Sequence, residues 1–237
     1  MDGYSYINIF DTKGIEYLVI IGFLLLLIPF WRALNKPLKV RVAVMSTLNT
    51  LTANILRIKQ GILYNPNHTW AQLEKAGYAN VGLNDLLMHI VGPFSIKTYK
   101  MSGDHVVKGE QIAQIASAER VLKIKSPITG KIDRVNTLLD YDTLNSDPYG
   151  KGWMYKIQTE KWAEETKSSF QADEVANWFK NELLRFKDFL ATTMNKNALE
   201  PSFVILQEGG DLADNPLADM PTEIWQDFQQ HFLDNVN

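Results

Sequence analysis

The sequence predicts a mainly β unit, a small antiparallel sandwich or flattened barrel, with one transmembrane helix before it and amphipathic helices after it. Three observations lead there. An almost uninterrupted apolar run occupies Tyr17 to Trp31. From His68 to about Thr159, short β-branched runs alternate with Gly, Pro, Asn and Asp, the pattern of many short strands joined by turns. Beyond Thr159 the apolar residues recur at three- and four-residue steps, the period of a helix with one buried face.

Composition sets the outer bounds. With 237 residues, 46% hydrophobic and 22% charged, the chain can bury a real core in one or two domains. A net charge of -3 gives no overall basic field, so nucleic acid is not an expected partner. The absence of cysteine excludes a disulfide, a thiolate nucleophile, an iron–sulfur ligand or a thiolate zinc site supplied by this chain.

The run Tyr17–Trp31 would rise only about 22 Å as a helix, short for a bilayer. Extended from Ile15 to Leu34, with Glu16 and Arg32 reaching toward the two interfaces, it rises about 30 Å, enough to cross the hydrocarbon core. Tyr17 and Trp31 stand where interfacial aromatics belong. A cleaved signal peptide fits poorly, because the preceding "MDGYSYINIFDTKG" is acidic and no small-residue cleavage site follows. A buried core helix would rarely be so uniformly apolar and end in a basic cluster. Arg32, Lys36, Lys39 and Arg41 follow the run, whereas Asp2, Asp11 and Glu16 precede or open it. The positive-inside rule then puts everything after Arg32 on the cytoplasmic side. The expected organisation is a short non-cytoplasmic segment at 1–14, a single-pass inner-membrane helix at 15–34 and a juxtamembrane connector at 35–67. The connector begins rich in Thr, Ser and Asn, as a surface connection or weak helix, and continues with Ile55, Leu56, Ile58, Ile62 and Leu63 apolar before Asn65-Pro66-Asn67.

The expected β unit spans 68–160. "YANVGL", "FSIKTYK", "QIAQIA", "VLKIKS", "GKIDRV" and "WMYKIQ" are strand-like, with turns at "SGDHVVKGE", "SPITG" and "SDPYGKG". Pro127 sets a turn dihedral, and Gly130, Gly150 and Gly152 are expected to supply conformations that other residues resist. "LNDLLMHIVG" predicts a short helix capped by Asn84, apolar through Leu86, Leu87 and Ile90, and ended by Gly92.

Residues His68 to Gln158 resemble the H protein of the glycine cleavage system. The resemblance rests on "HTW", "VGLND", "GDHVVKGE", "SPITGKIDRVN" and "LNSDPYGKGWMYKI", which occur in the family's order. It implies a barrel-sandwich hybrid fold, lipoyl-like, with a β-hairpin that presents a lipoyl-lysine. Matched without a gap from Gly109 to Gly130, that lysine falls on Glu119, and a carboxylate cannot form the lipoyl amide. The family's acid in the first motif is replaced by Thr69, and its acid just after the lipoyl-lysine by Lys123. In the family those acids help hold the amine of the loaded arm, so a hydroxyl and a cation remove its electrostatic partner. Lys123 and Lys125 stay open as displaced attachment points, against the reading that they are outward residues of a strand. No cofactor is expected.

The extension at 161–237 is read as helical. Val175, Phe179, Leu183, Phe186 and Leu190 form one face of a helix that starts at Ser168 or Ser169 and ends by Pro201. Its aromatic content, with Trp178, Phe179, Phe186 and Phe189, suggests a face that reaches a partner, beside the plainer reading that it packs on the barrel. "FVILQ" is strand-like, and Gly209-Gly210 with Asp211 and Asp214 has neither P-loop nor EF-hand spacing, so a plain turn is expected. A last amphipathic helix from about Thr222 carries Ile224, Trp225, Phe228, Phe232 and Leu233. His68, His89, His105 and His231 show no ligand spacing, and a structural role is expected for His68.

No catalytic site, nucleophile or metal set stands out. The sequence favours a non-catalytic accessory or scaffold subunit of a cytoplasmic-membrane complex, a redox or respiratory assembly among the candidates, with integral membrane and cytoplasmic protein partners. Glu119 and Arg120 at the blunt hairpin tip, and Trp178, Phe179 and Phe186, are the interaction candidates. The alternative is a lipoyl or acyl carrier using Lys123 or Lys125.

Overall fold

The computed structural model describes residues 9–34, 50–196 and 212–234. The chain forms two compact units, Met1–Thr47 and Leu48–Asn237. The expected boundaries after residues 67 and 160 therefore fall inside the second unit. The basic residues Lys36, Lys39 and Arg41, the strand-like "FVILQ", Pro201 and the turn at Gly209-Gly210 lie outside the described residues.

The first unit contains helix α1, Ile9–Leu34. Its large apolar side chains are open over the whole stretch, from Tyr17 at 60% exposure to Trp31 at 69%. The described side chains of this stretch run from Glu16 to Trp31, about 24 Å of helix. Among the described residues, no helix is long and apolar enough to cross a membrane.

In the second unit the alternation of apolar and polar residues becomes three antiparallel sheets. The largest has six strands in the order β2 (Leu63–Tyr64), β3 (Thr69–Leu73), β4 (Tyr78–Leu83), β10 (Trp153–Thr159), β9 (Gly130–Val135) and β6 (His105–Val106). A three-stranded sheet runs β5 (Ser95–Thr98), β7 (Gln111–Ser117) and β8 (Arg120–Lys125). A two-stranded sheet pairs β1 (Thr50–Leu51) with β11 (Leu212–Ala213). The six quoted strand segments all hold at least four residues of strand. Inward residues such as Val81, Ile112, Ile115, Leu122, Ile132 and Ile157 are fully buried or nearly so. The connector joins this core: Leu51, Leu56 and Ile62 are buried, and its second half is irregular chain until Leu63–Tyr64 pairs as β2 with β3.

Close approach, not left-handed backbone, explains the three glycines singled out by sequence. A Cβ on Gly130 would stand 2.1 Å from the Gln158 carbonyl oxygen, and one on Gly150 would stand 2.1 Å from the Asp147 carboxylate. Gly152 is similarly closed by the backbone of Asp147 and Pro148. None of the three has a positive φ, which corrects the expectation that their conformations exclude other residues.

Helix α2, Asp85–Val91, forms as expected. Asn84 Oδ1 accepts from the Leu87 amide at 2.9 Å, and Gly92 closes the helix at φ 75°. After the short helices α3 (Tyr141–Ser146) and α4 (Trp162–Glu165), the long helix α5 runs Ala172–Lys196. It starts later than Ser168 or Ser169 because Phe170 is used elsewhere, exchanging backbone hydrogen bonds with Tyr64 at 2.9 and 2.8 Å. The stripe Val175, Phe179, Leu183, Phe186 and Leu190 is buried. Helix α6, Thr222–Phe228, continues into a π turn at Gln229–Leu233 and buries Ile224, Trp225, Phe228, Phe232 and Leu233.

Candidate functional site

Strands β7 and β8 form the hairpin on which the sequence reading turns. Ser117 pairs with Arg120 and leaves Ala118-Glu119 as a two-residue tip. Both tip residues are exposed. Ala118 takes φ 54°, a conformation that two-residue hairpin turns favour but that normally calls for Gly. Glu119, where the resemblance places the attachment lysine, presents a carboxylate.

The flank of this hairpin is covered by the chain's own downstream segment. The Arg120 guanidinium donates to the carbonyls of Ala218 and Met220, the latter at 2.9 Å, and lies 5.1 Å over the Trp225 ring. The Lys123 amide, on the outer edge of β8, donates to Gln229 Oε1 at 2.7 Å. Lys125 Nζ pairs with Asp234 at 2.7 Å. An edge strand offers unpaired backbone groups to any passing strand, and here the C-terminal segment blocks that. Arg120 is thus a fastening point for the C-terminal segment rather than the free tip charge that sequence suggested. Among the described residues Lys123 Nζ has no carboxylate partner, whereas Lys125 is engaged, so neither stands at the tip and only Lys123 is free.

The position of the family's first acid is equally changed. Thr69 is fully buried, and its hydroxyl donates to Asn67 Oδ1 at 2.6 Å. Asn67 Nδ2 donates in turn to the Lys125 carbonyl at 3.3 Å. The hydroxyl is satisfied within the fold, and nothing in this arrangement holds an amine.

His68 has the structural role expected of it. It is fully buried, stacked at 5.2 Å on Phe232 and at 5.6 Å on Trp178, with Nδ1 3.2 Å from Asn84 Nδ2 and Nε2 3.4 Å from Glu182. Because Asn84 Oδ1 already accepts from Leu87, its Nδ2 donates to His68. That leaves Nδ1 the acceptor and puts the proton on Nε2, facing the Glu182 carboxylate. Burial lowers the His68 pKa despite Glu182, so the ring is neutral. Burial pushes the Glu182 carboxyl upward, but contact with His68 and Arg185 together brings it below the usual range. Phe179 and Phe186 are fully buried and Trp178 nearly so. This corrects the expectation of a partner-facing aromatic stripe: Trp178 and Phe179 pack on each other at 5.0 Å, and Phe186 packs on Phe228 and Phe232.

A second polar cluster ties three distant segments together, and sequence gave no signal for it. Asp85 is fully buried; it accepts from the Arg57 amide at 2.8 Å and from its guanidinium at 2.5 Å, and lies 3.6 Å from His89. His89 Nδ1 reaches Asp214 at 2.7 Å. Burial depresses the imidazole, but Asp214 and Asp85 outweigh it and raise its pKa to about 9. Asp214 is therefore an anchor for the C-terminal segment. Among the described residues no group of His, Asp and Glu side chains has the arrangement of a metal site.

The family model for the glycine cleavage H-protein matches residues 62–182. The probable glycine cleavage system H protein of Pyrococcus abyssi is 30% identical over 127 residues, 53% of this chain and 94% of that protein. The glycine cleavage system H protein of Xylella fastidiosa is 36% identical over 94 residues, 39% of this chain and 72% of that protein. The solved H protein of Mycobacterium marinum superposes with a TM-score of 0.44 at 26% identity, covering 51% of this chain and 98% of that one. Every residue that covers the β7–β8 hairpin, from Ala218 to Asp234, lies beyond the matched region.

Proposed function

The chain belongs to the glycine cleavage H-protein family, and from that premise we propose that it is an armless member, a non-catalytic accessory or scaffold subunit held at the cytoplasmic face of a membrane. Its H-protein-like domain serves for docking within a larger assembly, a redox or respiratory one among the candidates. One observation carries the reading: the hairpin is retained, yet its tip bears Glu119, and the chain's own C-terminal segment occupies its flank. A swinging arm needs a lysine at an open tip, and here the tip carries an acid. The anchor reading is supported by the unbroken exposure of apolar side chains along α1, which in water would be a large unfavourable surface. A carrier that shuttles among soluble enzymes gains little from being tethered.

The other reading, a lipoyl or acyl carrier with a displaced lysine, draws on the exposed and uncommitted amine of Lys123. Intact-mass measurement separates the two. The accessory role predicts the unmodified mass, and a lipoyl increment mapped to Lys123 or Lys125 would replace it with the carrier role.

A further inference from the structure

We propose that the outward face of the β5–β7–β8 sheet is a docking surface for an acidic segment of a partner protein, held by Lys97, Gln114 and Lys123. The proposal deepens the accessory reading and rests on it.

The three residues form one row. Lys97 lies opposite Gln114, and Gln114 lies opposite Lys123, so all three side chains stand on the same face of three neighbouring strands. Two strand spacings put the lysine backbones about 10 Å apart. The opposite face is the core, through Ile115, Leu122 and Ile124. Tyr99 continues the row's edge: its hydroxyl donates to Gln114 Oε1, and Lys97 Nζ lies 5.6 Å over its ring. With Oε1 taken by Tyr99, the Gln114 NH2 is the group left to donate to a ligand in the row between Lys97 and Lys123. A shallow groove of about 690 Å³ follows, lined by Tyr99, Lys100, Asp104, Gln114 and Lys123.

The charges on this surface are unequally matched. Lys100 is paired with Glu110, and Lys125 with Asp234. The Asp104 carboxylate accepts from the Met101 amide at 2.8 Å and keeps its charge, so the groove holds one acid beside Lys123. Among the described residues Lys97 and Lys123 have no carboxylate, although the whole chain carries a net charge of -3. Two unmatched cations flanking an amide donor on an open sheet face complement an extended run of carboxylates. Rim charges of this kind govern association rate and partner choice more than raw affinity.

The test uses the full chain reconstituted in neutral phosphatidylcholine nanodiscs and a fluorescein-labelled polyglutamate peptide, read by anisotropy. Lys97→Glu with Lys123→Glu is expected to weaken binding about tenfold, with a smaller loss for the double glutamine variant. Lys151→Glu with Lys180→Glu, equal in net charge and placed elsewhere, is expected to leave binding within about twofold. Unchanged thermal unfolding would show that both pairs fold. Equal loss in both pairs, or loss in neither, would overturn the proposal. So would displacement of the peptide by phosphatidylserine vesicles at matched charge, which would assign the face to a lipid surface. A lipoylated Lys123 would instead sink the accessory reading, and mass measurement reports that independently of peptide binding.

Discussion

Three side chains have consequences at the scale of single residues. Ala118 holds a left-handed conformation at the hairpin tip that costs an L-residue about 1–2 kcal/mol. Glycine removes that strain but loses some chain entropy on folding. Ala118→Gly is therefore expected to stabilise the second unit by about 0.5–1 kcal/mol in urea unfolding. His89 makes stability pH-dependent. Its folded pKa of about 9 lies above the ordinary value of 6.5, so its contribution is complete below about pH 6.5 and is lost as pH rises through 9. That contribution is of order 2–3 kcal/mol. Melting curves should fall across this alkaline window for the wild type and stay flat for His89→Gln. Asn84 both caps α2 and orients His68, so Asn84→Ala should cost about 1–3 kcal/mol, more than an exposed cap would.

At the scale of elements, the β7–β8 hairpin and α6 act as one body. Arg120→Ala removes three hydrogen bonds to backbone carbonyls, those of Ser117, Ala218 and Met220, and a cation–aromatic contact, and should cost about 1–3 kcal/mol. Hydrogen exchange should then rise in α6 and at the Lys123 amide before it rises in the six-stranded sheet. Strand β3 and the two-residue strands β1, β2, β6 and β11 were not legible in the sequence, but the other six were, because alternating burial writes itself into residues such as Ile112, Ile115, Leu122 and Ile124. So was α2, whose cap residues Asn84 and Gly92 act locally. What was not legible was the cover on the hairpin. Arg120 meets Ala218 across 98 residues and His89 meets Asp214 across 125, and such pairings leave no periodic trace. The aromatic stripe of α5 was visible, but the sequence could not say that Phe228 and Phe232 from downstream would use it up.

At the scale of the whole molecule, the apolar helix α1 and the proposed accessory role make a joint prediction. Extraction in mild detergent should recover the chain together with integral membrane partners, and a monodisperse monomer without partners would argue against the accessory role. The second unit also has a distinctive closure. Strand β1, at its upstream end, pairs with β11, which is made only after every other sheet strand. Closing so long a loop is entropically slow compared with pairing neighbouring hairpins. On the ribosome the β unit could begin to collapse, yet Thr50 and Leu51 must wait for Leu212 and Ala213. The second unit therefore stays unlatched while the chain between these two strands is made, which gives a partner a period in which to engage it before the latch closes.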